Sequence, residues 1–281
     1  MPAVFVLIWA TGFVVARFGM PHAPPLGFLA VRYALSILAF AIWLLFARAA
    51  WPRGRAQWLH LSVVGALMHA GYLGGVWVAV KAGLGAGLAA LIVGLQPMLT
   101  AMWVSGSGQQ RVARVQWIGL ALGLGGLVLV VGHKLGQGEA GFFNVAAAVF
   151  ALLSITAGTL YQKRFVTPCD VRTANLVQLL AALAVTAPLA LLVGGEWELH
   201  PELIGAMAWS VLVLTLGGSS LLYLLIQRGA ATSVSSLMYL VPPCTALMAW
   251  QLFGEALSVA VLAGLALAAA GVALVVRARP A

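Results

Sequence analysis

Apolar positions in this chain neither alternate with polar ones nor return on a single helical face. They run on for about 20 residues at a time, broken by short stretches rich in Arg, Gly, Pro and Gln. A helix of about 20 residues, at about 1.5 Å per residue, crosses the roughly 30 Å of a bilayer's hydrocarbon core. The pattern predicts ten membrane-spanning helices, over 3–20, 26–47, 59–80, 84–104, 113–132, 142–163, 172–194, 203–227, 231–253 and 257–276. The first run, Ala3 to Ala16, has no basic stretch before it and no small-residue cleavage site after it, so it is expected to be a retained helix.

Composition strengthens this picture. Of 281 residues, 63% are hydrophobic and 7% charged, with a mean hydropathy of +1.06, which is too apolar to cover a soluble surface. The net charge of +9 comes from basic residues scattered singly between the apolar runs, without the basic and aromatic clustering of a nucleic-acid surface. It is better explained by orientation. With both termini in the cytoplasm, the inner loops and tail collect Arg48, Arg53, Arg55, Arg111, Arg114, Lys163, Arg164, Arg172, Arg228, Arg277 and Arg279, while Arg17, Lys81 and Lys134 stay outside. Cys169 falls in a connection and Cys244 inside an apolar run, so both thiols are expected to be free.

An internal repeat organises the runs. A shift of 145 residues lays Leu95, Pro97, Thr100 and Ala101 on Leu240, Pro242, Thr245 and Ala246. The same shift lays Gly119, Leu120, Leu122, Gly126, Leu129 and Val130 on Gly264, Leu265, Leu267, Gly271, Leu274 and Val275. A shift of 147 lays Ala10, Arg17 and Phe18 on Ala157, Arg164 and Phe165. Five spans per half is an odd number, so the halves, 1–135 and 136–281, enter the membrane from opposite sides. The fold expected is an all-α membrane protein of ten helices, two inverted five-helix repeats around a central cavity, which is a transporter architecture.

Candidate chemistry follows from polar residues inside the runs, since each costs free energy unless it is paired or faces water. Pro97 and Pro242 occupy equivalent positions, with Pro243 beside the second; each removes a backbone donor, and kinks that flex during transport are expected there. Gly pairs four residues apart read as close helix packing, and the string Gly136, Gly138, Gly141 follows a membrane span and so is not a dinucleotide loop. The expected substrate-binding residues are Trp9, His69, Tyr72, Trp77, Gln96, Tyr161, Ser219, Tyr223 and Tyr239, which would form a weakly polar, aromatic cavity suited to a zwitterion with an apolar side chain. Gln162, Ser220, Ser235 and Ser236 add polar groups near them. Trp51, Trp58, Trp117, Trp197 and Trp209 fit an interfacial belt. Arg32 lies about six residues inside the outer boundary, roughly 9 Å deep, where it either snorkels or serves as the charge at the cavity mouth. No helix centre carries Asp or Glu, and Glu255 sits at the outer end of the ninth span. Coupling to protons through a mid-membrane carboxylate is therefore disfavoured, and facilitated, gradient-driven movement is expected.

The chain resembles the drug/metabolite transporter superfamily in its ten-helix, EamA-type form. The resemblance is carried by Leu7, Ile8, Trp9, Ala10, Thr11, Gly12 and Phe13 in the first helix and by Val31, Arg32 and Tyr33 in the second. Gln178 in the seventh and Phe253, Gly254 and Glu255 closing the ninth complete it. Gln110 departs from the pattern where the first repeat would have its Glu. Among branches it looks most like YddG, whose members export aromatic and other amino acids from bacterial cells. The resemblance implies a central cavity lined by helices one, three, four, six, eight and nine. Small multidrug-resistance relatives use a membrane Glu in the first helix, where this chain has Trp9 and Thr11.

The expected function is export of aromatic or neutral amino acids, or similar small metabolites, by alternating access across a bacterial inner membrane. The alternatives are another metabolite, such as a nucleoside, sugar derivative or quaternary amine, and proton-coupled antiport. A lipid-modifying enzyme would group His, Asp, Glu or Cys on facing helix ends, and His69 has no carboxylate nearby in sequence, so no enzyme activity is expected. Nor is any cofactor, metal or nucleic acid. The partners expected are the substrate and membrane lipid, around a monomer, with a dimer as the alternative.

Overall fold

The computed structural model describes residues 2–47, 49–106, 114–136, 140–219, 221 and 240–277. Those residues are helical with short connections, and no strand occurs among them. The helices are α1 (Pro2–Gly19), α2 (Pro25–Phe46), α3 (Arg55–Gly65), α4 (Tyr72–Lys81), α5 (Ala86–Val93), α6 (Gln96–Gly106), α7 (Arg114–Gly136), α8 (Phe142–Phe165), α9 (Val171–Val193), α10 (Pro201–Trp209), α11 (Val241–Phe253) and α12 (Val259–Arg277). Two π-helical stretches join them without a break in the chain's course: Ala66–Gly71 between α3 and α4, and Ser210–Ser219 after α10. Six of the resulting helices are long and apolar enough to span a membrane, and Val4–Gly19, Ala86–Thr100 and Val259–Leu274 are shorter apolar helices. The eighth and ninth predicted spans run into residues 222–239, so Tyr223, Tyr239, Ser235 and Ser236 lie outside the described residues, as do Ser220, Gln110 and Gly138.

Local chemistry sets the boundaries. Pro25 and Pro201 open their helices in the first turn, where a missing N–H costs nothing. The Asp170 side chain accepts the Arg172 backbone N–H at the start of α9, and its carboxylate also holds the Arg172 guanidinium at 2.6 Å. That guanidinium keeps Asp170 below the usual carboxylate range. Pro97 cannot donate to the carbonyl a turn earlier, and the chain breaks at Gly94 and Leu95 so that Pro97 enters the first turn of a new helix. The predicted span 84–104 is thus two short helices, α5 and α6. Pro242 and Pro243 similarly stand in the first turn of α11, while Pro188 is accommodated inside α9.

α2, α3 with α4, α8 and α9 pack around one another, and α1 runs between that group and α5 and α11. The other dense seam joins α7 to α12. A Cβ added at Gly126 would strike the Gly264 carbonyl, one at Gly264 the Gly126 carbonyl, and one at Gly271 the Gly119 carbonyl. Pairing 126 with 264 and 119 with 271 makes the helices antiparallel, and a shift of 145 residues lays Gly119 on Gly264 and Gly126 on Gly271. Where lipid gives no hydrophobic drive, such backbone proximity is what holds two helices together. Glu255, in the α11–α12 connection, accepts the N–H groups of Ala86 (2.8 Å) and Gly87 (3.4 Å) and so places an anion on the N-terminus of α5.

The ends of the bundle are tied differently. At one end the α1–α2 connection meets the α9–α10 connection: Glu198 donates its backbone N–H to the His22 carbonyl, and its carboxylate lies 2.8 Å from His22 Nδ1. The Glu198 carboxylate raises the affinity of His22 for its proton. At the other end Gln57 and the Thr167 backbone exchange two hydrogen bonds (2.8 and 3.2 Å), and His60 Nδ1 pairs with the Tyr161 hydroxyl at 2.9 Å.

Candidate functional site

The middle of the bundle gathers polar groups around the two π-helical stretches. A π-turn widens the helix by a residue per turn and leaves carbonyls and side chains turned from their α-helical directions, a feature frequent at functional sites. Arg32, on α2, is 6% exposed. Its Nε and Nη2 donate to the Thr215 hydroxyl at 3.3 and 3.2 Å, and Thr215 donates in turn to the Ser210 carbonyl of the same π stretch at 2.9 Å. On the next residue of α2, the Tyr33 hydroxyl donates to the His69 carbonyl at 2.8 Å, inside the other π stretch, and the two rings meet edge to face. The His69 ring has the Gln178 side chain of α9 as partner. Tyr72, one turn on, is buried near the Arg32 charge, and the Trp9 indole N–H is within reach of its hydroxyl.

A shift of 146 residues lays Arg32 on Gln178 and His69 on Thr215. The Arg32–Thr215 hydrogen bonds and the approach of Gln178 to His69 thus join residues at matching registers, beside two π stretches at matching places. They differ in chemistry. One has a guanidinium facing a hydroxyl, and the other an amide facing an imidazole.

The Arg32 charge is incompletely matched. Among the described residues Thr215 is the hydrogen-bond partner of Arg32, and the electrostatic neighbours of the guanidinium are Tyr33, Tyr72 and His69, with no carboxylate. A guanidinium carries five N–H donors and keeps its charge. Among the described residues the hydroxyls of Ser36, one turn from Arg32 on α2, and of Ser210 are buried without a hydrogen-bond partner. A cation with spare donors beside two unpaired hydroxyls can receive an anionic oxygen pair.

Of the sequence-predicted residues, Trp9, His69, Tyr72 and Arg32 come together here. Trp77 stacks on Phe28 (4.4 Å between centroids) in the apolar core, about two turns further along α4. Gln96 donates to the Thr159 hydroxyl at 2.9 Å, joining α6 to α8. Tyr161 belongs to the end of the bundle where it meets His60, with Phe165 against both rings. Ser219 closes the second π stretch. Pro97 and Pro242 are half-buried and buried, Pro242 lining a small concavity with Pro243, Leu91 and Leu95. Residues missed by sequence reasoning are Tyr33, Ser36, Ser210 and Thr215. Registering the second helix on the seventh at 146 and reading on to the third and eighth finds Thr215.

The model of the EamA-like transporter family matches residues 3–132 and 143–277. The chain is 27% identical to the uncharacterized inner membrane transporter YedA of Escherichia coli K12, over 91% of this chain and 83% of that protein. It is 29% identical to a probable amino-acid metabolite efflux pump of Salmonella typhimurium, over 95% and 90%. A solved crystal structure shares the fold at a TM-score of 0.68 and 20% identity, covering 97% of this chain and 94% of that one. With both stretches matched by one family model, the chain belongs to the EamA-like transporter family of the drug/metabolite transporter superfamily, and is a multi-pass membrane transporter.

Proposed function

We propose that this transporter exports aromatic or neutral amino acids by alternating access, with the substrate carboxylate bound at Arg32. The observation that carries the reading is the buried Arg32 guanidinium, whose described partners are all uncharged. A charge held at this depth is costly unless an opposite charge joins it for part of the cycle. A carboxylate supplies that charge and two oxygens in the geometry a guanidinium matches. Trp9, Tyr72 and Tyr33 then offer ring faces to the ammonium group and apolar area to the side chain. The amino-acid metabolite named for the Salmonella relative is consistent with this chemistry.

Two inverted halves, 1–135 and 136–281, are the natural frame for the mechanism. The glycine exchange between α7 and α12 and the duplicated contact at the π stretches both have the form of an approximate twofold relation. Rocking about that axis would expose Arg32 to one side and then the other. Eleven basic residues on one side against three on the other favour cytoplasmic termini in a bacterial inner membrane. The absence of carboxylates from helix centres in the sequence favours uncoupled movement.

The test is uptake of radiolabelled Phe, Trp, Thr and Met into proteoliposomes, with and without an imposed pH gradient. Saturable uptake independent of the gradient supports the reading. Strict dependence on the gradient would make His69 a proton site instead, and no uptake would leave the transported class to other metabolites.

A further inference from the structure

The end of the bundle where the α1–α2 connection meets the α9–α10 connection carries His22, His200, Glu198 and Glu202. His22 and His200 lie ring on ring, 4.2 Å between centroids and 11° from parallel. Nitrogen atoms of both rings and a carboxylate oxygen of Glu202 fall within 4.8 Å of one another. His22 Nε2 is 3.4 Å from Glu202 Oε2, while its Nδ1 is 2.8 Å from Glu198 Oε2. His200 turns its Nδ1 to the Glu202 backbone N–H at 3.3 Å, which leaves its Nε2 free of that bond.

We infer that His22, His200 and Glu202 form a binding site for a divalent transition metal, zinc above all, that clasps the two connections together. Two imidazoles and one carboxylate are the donor set of three-ligand zinc sites, with a fourth position left to water. Tetrahedral zinc holds its ligand atoms about 3.3 Å apart at bond lengths of about 2.05 Å, so to close on an ion the ligand atoms draw together and the His200 ring turns out of its parallel stack on His22 until both nitrogen lone pairs meet the ion. Glu198 adds an observation that the three ligands alone do not. A metal-ligating histidine nearly always gives its other ring N–H to a carboxylate or carbonyl, which fixes the tautomer and orients the ring. Glu198 holds Nδ1 of His22 in that manner and presents Nε2 to the cluster. Nitrogen ligands select zinc, nickel or cobalt over magnesium and calcium. The inference goes beyond transport and does not depend on the substrate: one clasp residue comes from the connection after α1 and the others from the connection before α10 and the first turn of α10, so metal restrains relative movement at this end.

The experiment is isothermal titration of zinc chloride into tag-free full-length protein in detergent at pH 7.5, with magnesium present in excess. One zinc per chain at micromolar Kd or tighter is expected. His22→Gln, His200→Gln and Glu202→Gln each weaken it at least tenfold, and Glu198→Gln weakens it by about tenfold through loss of ring orientation. Saturating zinc also raises Tm in the native protein and not in the variants. No saturable heat, or a Kd unchanged across the three ligand variants, overturns the site. Should a variant not elute as a single species, cobalt absorption of the native protein decides: visible bands that zinc displaces support the site, and their absence rejects it.

Discussion

The central site holds two pairs of residues at matching registers, Arg32 with Thr215 and Gln178 with His69, and they differ in chemistry. On the side where α2 meets the second π stretch, a permanent cation faces a hydroxyl; where α9 meets the first, a neutral amide faces His69. Matching register with unequal charge gives the centre a polarity. An asymmetric ligand, anionic at one end, would sit with that end toward Arg32 and its remainder toward Tyr72, Trp9 and His69. On the proposed alternating-access mechanism, approximate symmetry would provide two access states of similar energy, and the unlike pairs would provide recognition. The comparison teaches that Arg32 and Gln178, though equivalent in register, should differ greatly in their weight for transport.

The largest expected effect is from Arg32→Gln, which makes the two contacts alike. Saturable uptake should fall at least a hundredfold at unchanged protein in the membrane, and Arg32→Lys should recover only part of it because the bidentate fork is lost. Next, Tyr72→Ala and His69→Ala should each lower flux about tenfold without lowering the amount of inserted protein; unchanged flux in both removes them from the pocket. Gly126→Leu should instead act on the seam, lowering Tm through about 1–3 kcal/mol of overpacking, while substrate affinity in the remaining folded protein is retained. Gln178→Leu should change flux only a few fold, and a loss as large as that of Arg32→Gln would abolish the distinction between halves. The smallest effect belongs to Asp170→Asn at the start of α9, about 1 kcal/mol of stability. Its sign with pH is fixed: Asp170 titrates below its ordinary value because of Arg172, so its contribution is present above the unfolded pKa of about 3.9 and is lost as pH falls through the folded value. Thermal melts of native and variant protein should therefore differ at pH 7 and converge in acid.

Six of the spans were legible because runs of about 20 apolar residues leave few alternatives. The glycines of the seam stood out as well, since Gly119, Gly126, Gly264 and Gly271 match letter for letter at one shift. The π stretches were not legible: a sequence of Ala, Leu, Met, His, Ala and Gly carries no signal for an extra residue per turn, and packing against α8 and α9 accompanies it. Thr215 escaped for a related reason. Its counterpart is His69, and two residues of different type at equivalent positions give no identity to find. Trp77 illustrates the opposite error, since an aromatic side chain two turns from a polar cluster shares its face by spacing and yet packs on Phe28 in the core. Proline positions were readable as points of interruption, but the structure breaks the helix just before Pro97, at Gly94 and Leu95, so that the proline stands in the first turn of the next helix where its missing N–H is tolerated.

Arg32 as a carboxylate site is tested most directly by competition between a zwitterion and its decarboxylated amine. Uptake of radiolabelled Phe into proteoliposomes is measured against unlabelled Phe and against phenethylamine, in native protein and in Arg32→Gln. The prediction is that Phe competes in native protein, the amine fails at a hundredfold higher concentration, and the variant loses saturable Phe uptake. Equal competition by the amine, or saturable Phe uptake surviving in Arg32→Gln, would contradict it.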